Sequence, residues 1–408
     1  MEARAGAAEH ADEGIPWLLP MLCSGAFLVF VQTFMVAPLI PRLADVFSTA
    51  VGWVGLAVPA YIVPEAVATL FIGPLSDRLG RRRVILMSLL AFVVLTAATS
   101  TATSVTAFIL WRVVTGACAA GIVPISLTLI GDVFPFQQRG KAVGWLFGSI
   151  AGGTAAGAAV GALLEPVIGW QSLFWVVAAL SGVLLVLMSV TGVLPRTTAP
   201  LAAPAWRAVA GGYAKLLKTL RARRTYAYVL INAVLQSGVF TWLGVYLRQR
   251  YGLDETGIGL VLLGYGVPGL LLGPVIGWLA DRYGRYFIVP GGVALTGLCA
   301  FALAAPLPLD GVRVAIILLS LGFDLTHPQL AAIATDLRGG GRGQAVAVMA
   351  FSLFIGFGLG SLLFEAFLAF GFDVALGVFG GFALASAAVA AFLFHDERPA
   401  ARLASGRA

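Results

Sequence analysis

GPLSDRLGRRR, residues Gly73 to Arg83, places one acid, two glycines and four arginines between two stretches that carry almost no charge. The flanking runs are apolar for about twenty residues, enough to cross about 30 Å of hydrocarbon at 1.5 Å per residue. The charged knot then reads as a short loop joining two membrane crossings. The rest of the chain repeats that pattern.

Composition agrees with this. Of 408 residues, 60% are hydrophobic and 11% charged, with a mean hydropathy of +0.95. A soluble domain carries about 25% charged residues, so this is an all-α membrane protein. The net charge of +7 does not point to nucleic acid, because the arginines sit in short loops between apolar runs. Cys23, Cys118 and Cys299 lie inside such runs, far apart, and read as packing residues rather than a disulfide framework. The opening stretch MEARAGAAEHADEG has four acids and no basic leader, which predicts a short tail over 1–15 and an uncleaved first span.

Charge and Pro/Gly breaks divide the chain into twelve candidate spans: 16–41, 52–75, 83–101, 106–131, 141–165 and 172–194, then 226–248, 256–280, 286–305, 312–335, 344–369 and 372–394. The polar stretch 195–225 separates a first six-helix bundle (16–194) from a second (226–394), and 395–408 is a tail. Lysine and arginine mark the cytosolic face of a membrane protein. With both termini in the cytosol, all but five of the 26 basic residues fall on that side, the exceptions being Arg42, Arg112, Arg248, Arg250 and Arg313. The expected location is the cell (inner) membrane.

The opening stretch returns. GWLADRYGR at 277–285 answers GPLSDRLGR at 73–81, an offset of 204. The run from Asp336 answers the run from Asp132 at the same offset, and GSLLFE (360–365) answers GALLE (161–165). The chain is an internal duplication of two pseudo-symmetric halves, a plan that puts a transport site between them near the bilayer midplane.

The loop at 73–82 resembles the signature of the major facilitator superfamily between its second and third helices, and the second copy strengthens the resemblance. PLIPRLADVF from Pro38, LWRVVTG with Arg112 and Gly116, and GTAAGAAVGALL (153–164) are similar to motifs of its drug:proton antiporter branch. Ala158 and Ala162 stand where the last motif has proline and glycine. The resemblance implies that Asp77 faces the start of span 11, that Arg81 lies between Asp77 and Asp132, and that Asp281, Arg285 and Asp336 repeat the set. Together with Gly73 for close helix approach and Gly80 for a tight turn, these residues form a conformational latch. The alternative is a loop whose arginines only fix topology. Gly153, Gly157 and Gly161 pack span 5 closely, by the same resemblance against span 8.

Ionisable groups inside spans are costly and point to function. Glu65 lies about 20 Å into span 2 at helical rise, and Asp324 sits at similar depth in span 10. His327 is one turn further on, and Pro328 suggests a local distortion. Arg112 either joins these groups or snorkels to the outer surface. Glu65, Asp324 and Arg112 are the candidate proton-coupling residues. Gln32, Tyr61, Asn232, Gln236, Tyr246, Tyr265 and His327 are the candidate lining of a substrate cavity. One Asp and one His make no metal site, no cofactor is implied, and no phosphate-binding loop is present. The chain therefore reads as a monomeric secondary transporter and not an enzyme. It exports small amphipathic compounds against protons; a sugar or organic-anion transporter, or a transport-inactive sensor, are the alternatives.

Overall fold

The computed structural model describes residues 2–134, 136–195, 206–337 and 342–397. Among them there is helix and connection only, with no strand. The first crossing is α1 (Glu2–Phe34), a 3-10 turn (Ala37–Leu39) and α2 (Ile40–Val46); the second is α3 (Val51–Gly55) with α4 (Ala57–Leu79). The third is α5 (Arg81–Thr99) and the fourth α6 (Val105–Ala119) with α7 (Val123–Val133). The long α8 (Phe136–Val190) is two crossings, because Gly169 at φ 77° and ψ 156° turns the chain back on itself. After α9 (Trp206–Leu216) come α10 (Leu220–Tyr251), α11 (Glu255–Leu262) with α12 (Val267–Tyr283), α13 (Arg285–Ala304), α14 (Leu309–Thr335), α15 (Arg342–Leu368) and α16 (Phe372–Leu393).

Apolar length alone picks out nine stretches among the described residues, the longest being Ala142–Val190. That one holds two crossings. The broken α11–α12 pair and the polar-centred α14 complete the twelve. Two boundaries differ from the sequence reading. The seventh crossing starts at Leu220 rather than 226, and the separating stretch contains helix α9. The expected tail is also built in at its start: Glu397 is buried and its carbonyl accepts a hydrogen bond from the Tyr286 N–H.

Each half is zipped by small residues. An added Cβ at Gly153, Gly157 or Gly161 would stand 2.5, 2.6 or 3.0 Å from the carbonyl oxygens of Phe27, Val31 and Met35. The fifth crossing thus lies backbone to backbone on the first. The second half repeats the device: a Cβ at Gly356 or Gly360 would meet the carbonyls of Leu230 and Val234 at 2.6 and 2.3 Å. Contact at this range is how helices associate in lipid, where apolar burial gives no driving force. This corrects the expected partner of the glycines, which face the first crossing. The eighth crossing meets the other side of the same helix, where Gly266 abuts Ala155 and Gly259 abuts Leu163 and the Ala159 carbonyl.

The halves join most closely at the side opposite the termini, called the distal side below. Gly244 lies on Pro38, Gly55 under the Trp242 ring and Gly52 against the Glu365 carboxylate, while Arg248 pairs with Asp45 at 2.9 Å. Toward the terminal side, Tyr213 of α9 donates to the Leu70 carbonyl of α4, and Gly212 packs against Gln344 of α15.

The zipper makes a test of opposite signs. Gly157→Ala forces two backbones apart and is expected to destabilise by about 1–3 kcal/mol. A Cβ at Gly148 meets nothing within 4 Å, so Gly148→Ala is expected to be neutral or to stabilise by up to about 1 kcal/mol. Thermal unfolding of the two variants in detergent decides it; equal melting temperatures would remove the zipper.

Candidate functional site

The site grows from a break in the first crossing. The last turn of α1 ends at Phe34 and leaves carbonyls without helix donors; Pro38, with no N–H, cannot restore the ladder. Arg112 of α6 supplies the donors. Its guanidinium gives hydrogen bonds to the carbonyls of Gln32 (3.0 Å) and Thr33 (2.9 Å), to Gln32 Oε1 (2.9 Å) and to the Ala57 carbonyl (3.0 Å). It also lies 4.5 Å from the centre of the Tyr61 ring. The cation is fully buried at a helix C-terminus, where positive charge is favoured. Snorkelling is thus excluded. Gly116 makes the arrangement possible, since any Cβ there would strike the Tyr61 carbonyl at 2.0 Å. The Arg-x-x-x-Gly spacing is one reach of a side chain plus one close helix crossing.

Glu65 follows Tyr61 by one turn of α4 and is 1% exposed. Its Oε1 has no hydrogen-bond partner among the described residues. Asp324 of α14 is 9% exposed; Ser320 donates to its Oδ2 at 3.2 Å, and a Cβ at Gly269 would stand 3.0 Å from both its oxygens. The carboxylate is thus turned toward α12. His327 turns elsewhere: its ring stacks on Phe323 at 5.0 Å and meets the edge of Phe147 of α8 at 5.6 Å. Among the described residues no hydrogen bond or ion pair joins Asp324 to His327. The expected pair is therefore not formed, and α14 runs unbroken through Pro328.

Between the halves lies an aromatic layer. Phe34 meets Phe240 at 5.6 Å and Phe357 at 5.8 Å; Phe30 meets Phe354 at 6.2 Å, and Phe323 meets Phe357 at 6.2 Å. Gln236 donates to the Tyr265 hydroxyl at 2.8 Å, and Tyr265 lies 4.3 Å from the Phe240 ring. Gln236, Tyr265 and His327 of the expected cavity residues touch these rings or each other, and several expected cavity residues are under-satisfied. Gln32 Nε2, Asn232 Nδ2, Gln236 Oε1 and His327 Nδ1 are buried without a partner among the described residues. Buried polar atoms are normally paired, so such a cluster marks a place built to meet something else. Tyr246 does not belong to it. Its hydroxyl donates to the Leu303 carbonyl at 2.8 Å and its ring packs on Tyr251 and Phe372, inside the second half.

At the terminal side Arg81 lies 3.8 Å from Asp77 and forms an ion pair with Asp132. Gly80 (φ 88°) and Gly284 (φ 89°) make the same turn in the two halves. Other expectations for this region need correction. A Cβ at Gly73 meets open space, so no close approach depends on it here. In the second half Asp336 pairs with Arg221 at 3.0 Å rather than with Arg285, because α10 begins early enough to present Arg221. Arg221 and Arg224 also bind Glu397, at 2.7 and 2.9 Å. The Asp281 side chain lies outside the described residues. Sequence reading missed this cluster, although two arginines opening a span are visible in the chain. Ser320, four residues before Asp324, was equally visible; Gly269 was not.

The Major Facilitator Superfamily profile matches residues 22–339 and 251–408. The chain is 27% identical to the uncharacterized MFS-type transporter YwfA of Bacillus subtilis, over 88% of this chain and 87% of that one. It is 26% identical to a chloramphenicol resistance protein of Streptomyces lividans, over 80% and 82%. Among solved structures it resembles the human organic anion transporter MFSD10, with a TM-score of 0.72 at 18% identity, covering 92% and 98%.

The Arg112 clamp has its own test. Lysine keeps the charge but cannot serve carbonyls on two helices, and each buried carbonyl left bare costs about 1–3 kcal/mol. Arg112→Lys is expected to lower the melting temperature in detergent and Arg112→Ala to lower it further. Wild-type stability in Arg112→Ala would show the clamp to be idle.

Proposed function

Because the chain belongs to the major facilitator superfamily, we propose that it exports small amphipathic compounds across the inner membrane in exchange for protons, by alternating access between its halves. The observation that carries this is the under-satisfied polar set against the aromatic layer, with a buried carboxylate, Glu65 or Asp324, deep in a crossing of each half. Rings offer apolar surface to a flat or greasy substrate, and the unpaired amide and imidazole atoms offer it a few hydrogen bonds. Relatives named for chloramphenicol resistance and for tetracenomycin C resistance and export support the outward direction.

In this reading Glu65 is the coupling acid. A carboxylate with an oxygen left unpaired among the described residues is costly to bury as an ion, so it carries a proton while the site is closed and releases it when the halves part. Asp324 has a donor in Ser320 and acts on substrate in the second half. Arg112 holds Tyr61 and Glu65 in place. An anionic substrate is disfavoured, since Arg112 has its donors committed to protein oxygens. In this reading the termini and the Arg81 loop face the cytosol, which the positive-charge bias supports.

The test is proton flux in proteoliposomes under an imposed pH gradient, with a panel of lipophilic cations, neutral amphiphiles such as chloramphenicol, and small hydrophilic acids. Flux with the first two classes is expected; flux with the acids alone sinks the proposal. Glu65→Gln is expected to bind substrate as the wild type does but to lose pH-driven accumulation by at least tenfold. Asp324→Asn is expected to weaken binding while keeping coupling. If the two variants exchange these outcomes, the roles are reversed.

A second prediction concerns the Arg81 loop. Asp77→Asn keeps shape and removes the charge beside Arg81, an interaction on the order of 1 kcal/mol for an exposed pair. Transport is expected to slow several-fold with normal membrane insertion. Unchanged turnover at equal expression would leave the loop a topological device alone.

A further inference from the structure

Away from the polar set, a groove of about 420 Å³ opens between the first, fifth and sixth crossings. Cys23, Ser24 and Phe27 of α1, Ser149 from the first part of α8, and Val183 and Leu184 from its last part are among the lining residues. Its origin is the end of the glycine zipper. The glycine contacts with the first crossing run from Gly153 to Gly161. The groove opens before them in the chain, at Ser149, toward the terminal side. Val183 is 58% exposed on the outer surface of the bundle, so the mouth faces the hydrocarbon of the bilayer. The volume falls within the range of about 300–1,000 Å³ usual for small-molecule sites.

The polar floor narrows the chemistry. Ser24 gives its hydroxyl proton to the Pro20 carbonyl and Ser149 gives its own to the Trp145 carbonyl, each at 2.9 Å. With those protons held on backbone carbonyls, both oxygens present lone pairs that accept hydrogen bonds toward the groove. Cys23 lies within hydrogen-bond reach of Ser149. The walls are aliphatic and aromatic. We infer that this groove is a membrane-facing binding site for an apolar molecule bearing a hydrogen-bond donor, taken from the adjoining leaflet. The inference is independent of the export reading, because it requires neither coupling nor transport.

Cys23 reports on occupancy. In full-length protein in nanodiscs carrying Cys118→Ser and Cys299→Ser, the labelling rate of Cys23 by a membrane-permeant maleimide is measured with dodecan-1-ol and with dodecyl methyl ether. The two probes share a chain, and only the alcohol has a donor. The alcohol is expected to protect at concentrations about two- to tenfold lower than the ether, the difference that one net hydrogen bond makes. Ser24→Ala with Ser149→Ala is expected to abolish that difference, and Leu184→Trp, which fills the groove, to abolish protection by both. Equal protection by alcohol and ether overturns the inference in favour of a groove for any acyl chain. No protection by either overturns it outright. Should Cys23 prove unreactive, the same comparison on Val183→Cys in a cysteine-free chain separates the same outcomes at the rim. Glu65→Gln is expected to leave protection unchanged, so failure of the coupling proposal is read separately.

Discussion

One buried guanidinium organises the first half. The first crossing is broken after Phe34, and a broken helix in hydrocarbon exposes carbonyls that water cannot reach. Arg112 answers two of those oxygens, on Gln32 and Thr33, together with the Ala57 carbonyl of the second crossing and one side-chain oxygen. A planar fork with five donors can do that; an ammonium cannot. The requirement propagates outward. Reaching both the end of α1 and Ala57 brings α6 onto α4, which requires Gly116 beneath the Tyr61 carbonyl. Tyr61 then covers the cation, and Glu65 is carried one turn along beside it. The positions of a glycine, a tyrosine and an acid all follow from where one helix stops.

The duplication is geometrically faithful and electrostatically not. Both halves use glycines to lay one crossing on another, and both use a glycine near φ 88° to end the charged turn. The charges are wired differently. In the first half Arg81 collects Asp77 and Asp132 within one loop region. In the second, Asp336 is drawn to Arg221, and Arg221 and Arg224 anchor Glu397 from the end of the chain. The backbone is thus repeated where close packing demands small residues. Charge was free to diverge in solvent-reaching pairs such as Arg81–Asp77 and Arg221–Asp336, which contribute at most about 1 kcal/mol each.

Hydropathy and repeat spacing made the twelve crossings readable, because apolar length in a bilayer has few other meanings. Residue type also marked the buried polar positions, since an ion within a span is never incidental. What could not be read was which neighbour each face meets. Gly153, Gly157 and Gly161 share a face by spacing, yet nothing in the spacing says that the face looks at the first crossing and not the eighth. Tyr246 and Gln236 lie on one helix, but ten residues put them about 15 Å apart along it, and Leu303 claims the tyrosine. Asp324 and His327 are one turn apart, and adjacency on a helix did not make them partners; Ser320 and Phe323 are each nearer in angle. The Arg112 clamp was hidden for the opposite reason. Its partners are backbone oxygens, which leave no mark in a sequence.

The kinds of contact differ between the inside of each half and the seam, and that difference bears on movement. Within a half, glycine zippers bring backbones to a separation that no sliding can preserve, so each half behaves as a unit. At the seam, on the terminal side of the Trp242 contact, ring pairs join the halves beside the Gly259 and Gly266 contacts with the fifth crossing: Phe30 on Phe354, Phe34 on Phe240 and Phe357, and Phe147 on His327. Each such pair contributes about 0.5–1.5 kcal/mol beyond its burial, and it can be exchanged for ring contact with a bound molecule of similar shape. A substrate with an apolar face therefore replaces what it displaces. The polar atoms left bare beside the rings gain partners in the same step, whether from that molecule or from entering water. On the proposed reading, the cost of parting the halves is met at the seam itself, and the two carboxylates, one in each half, feel the change together.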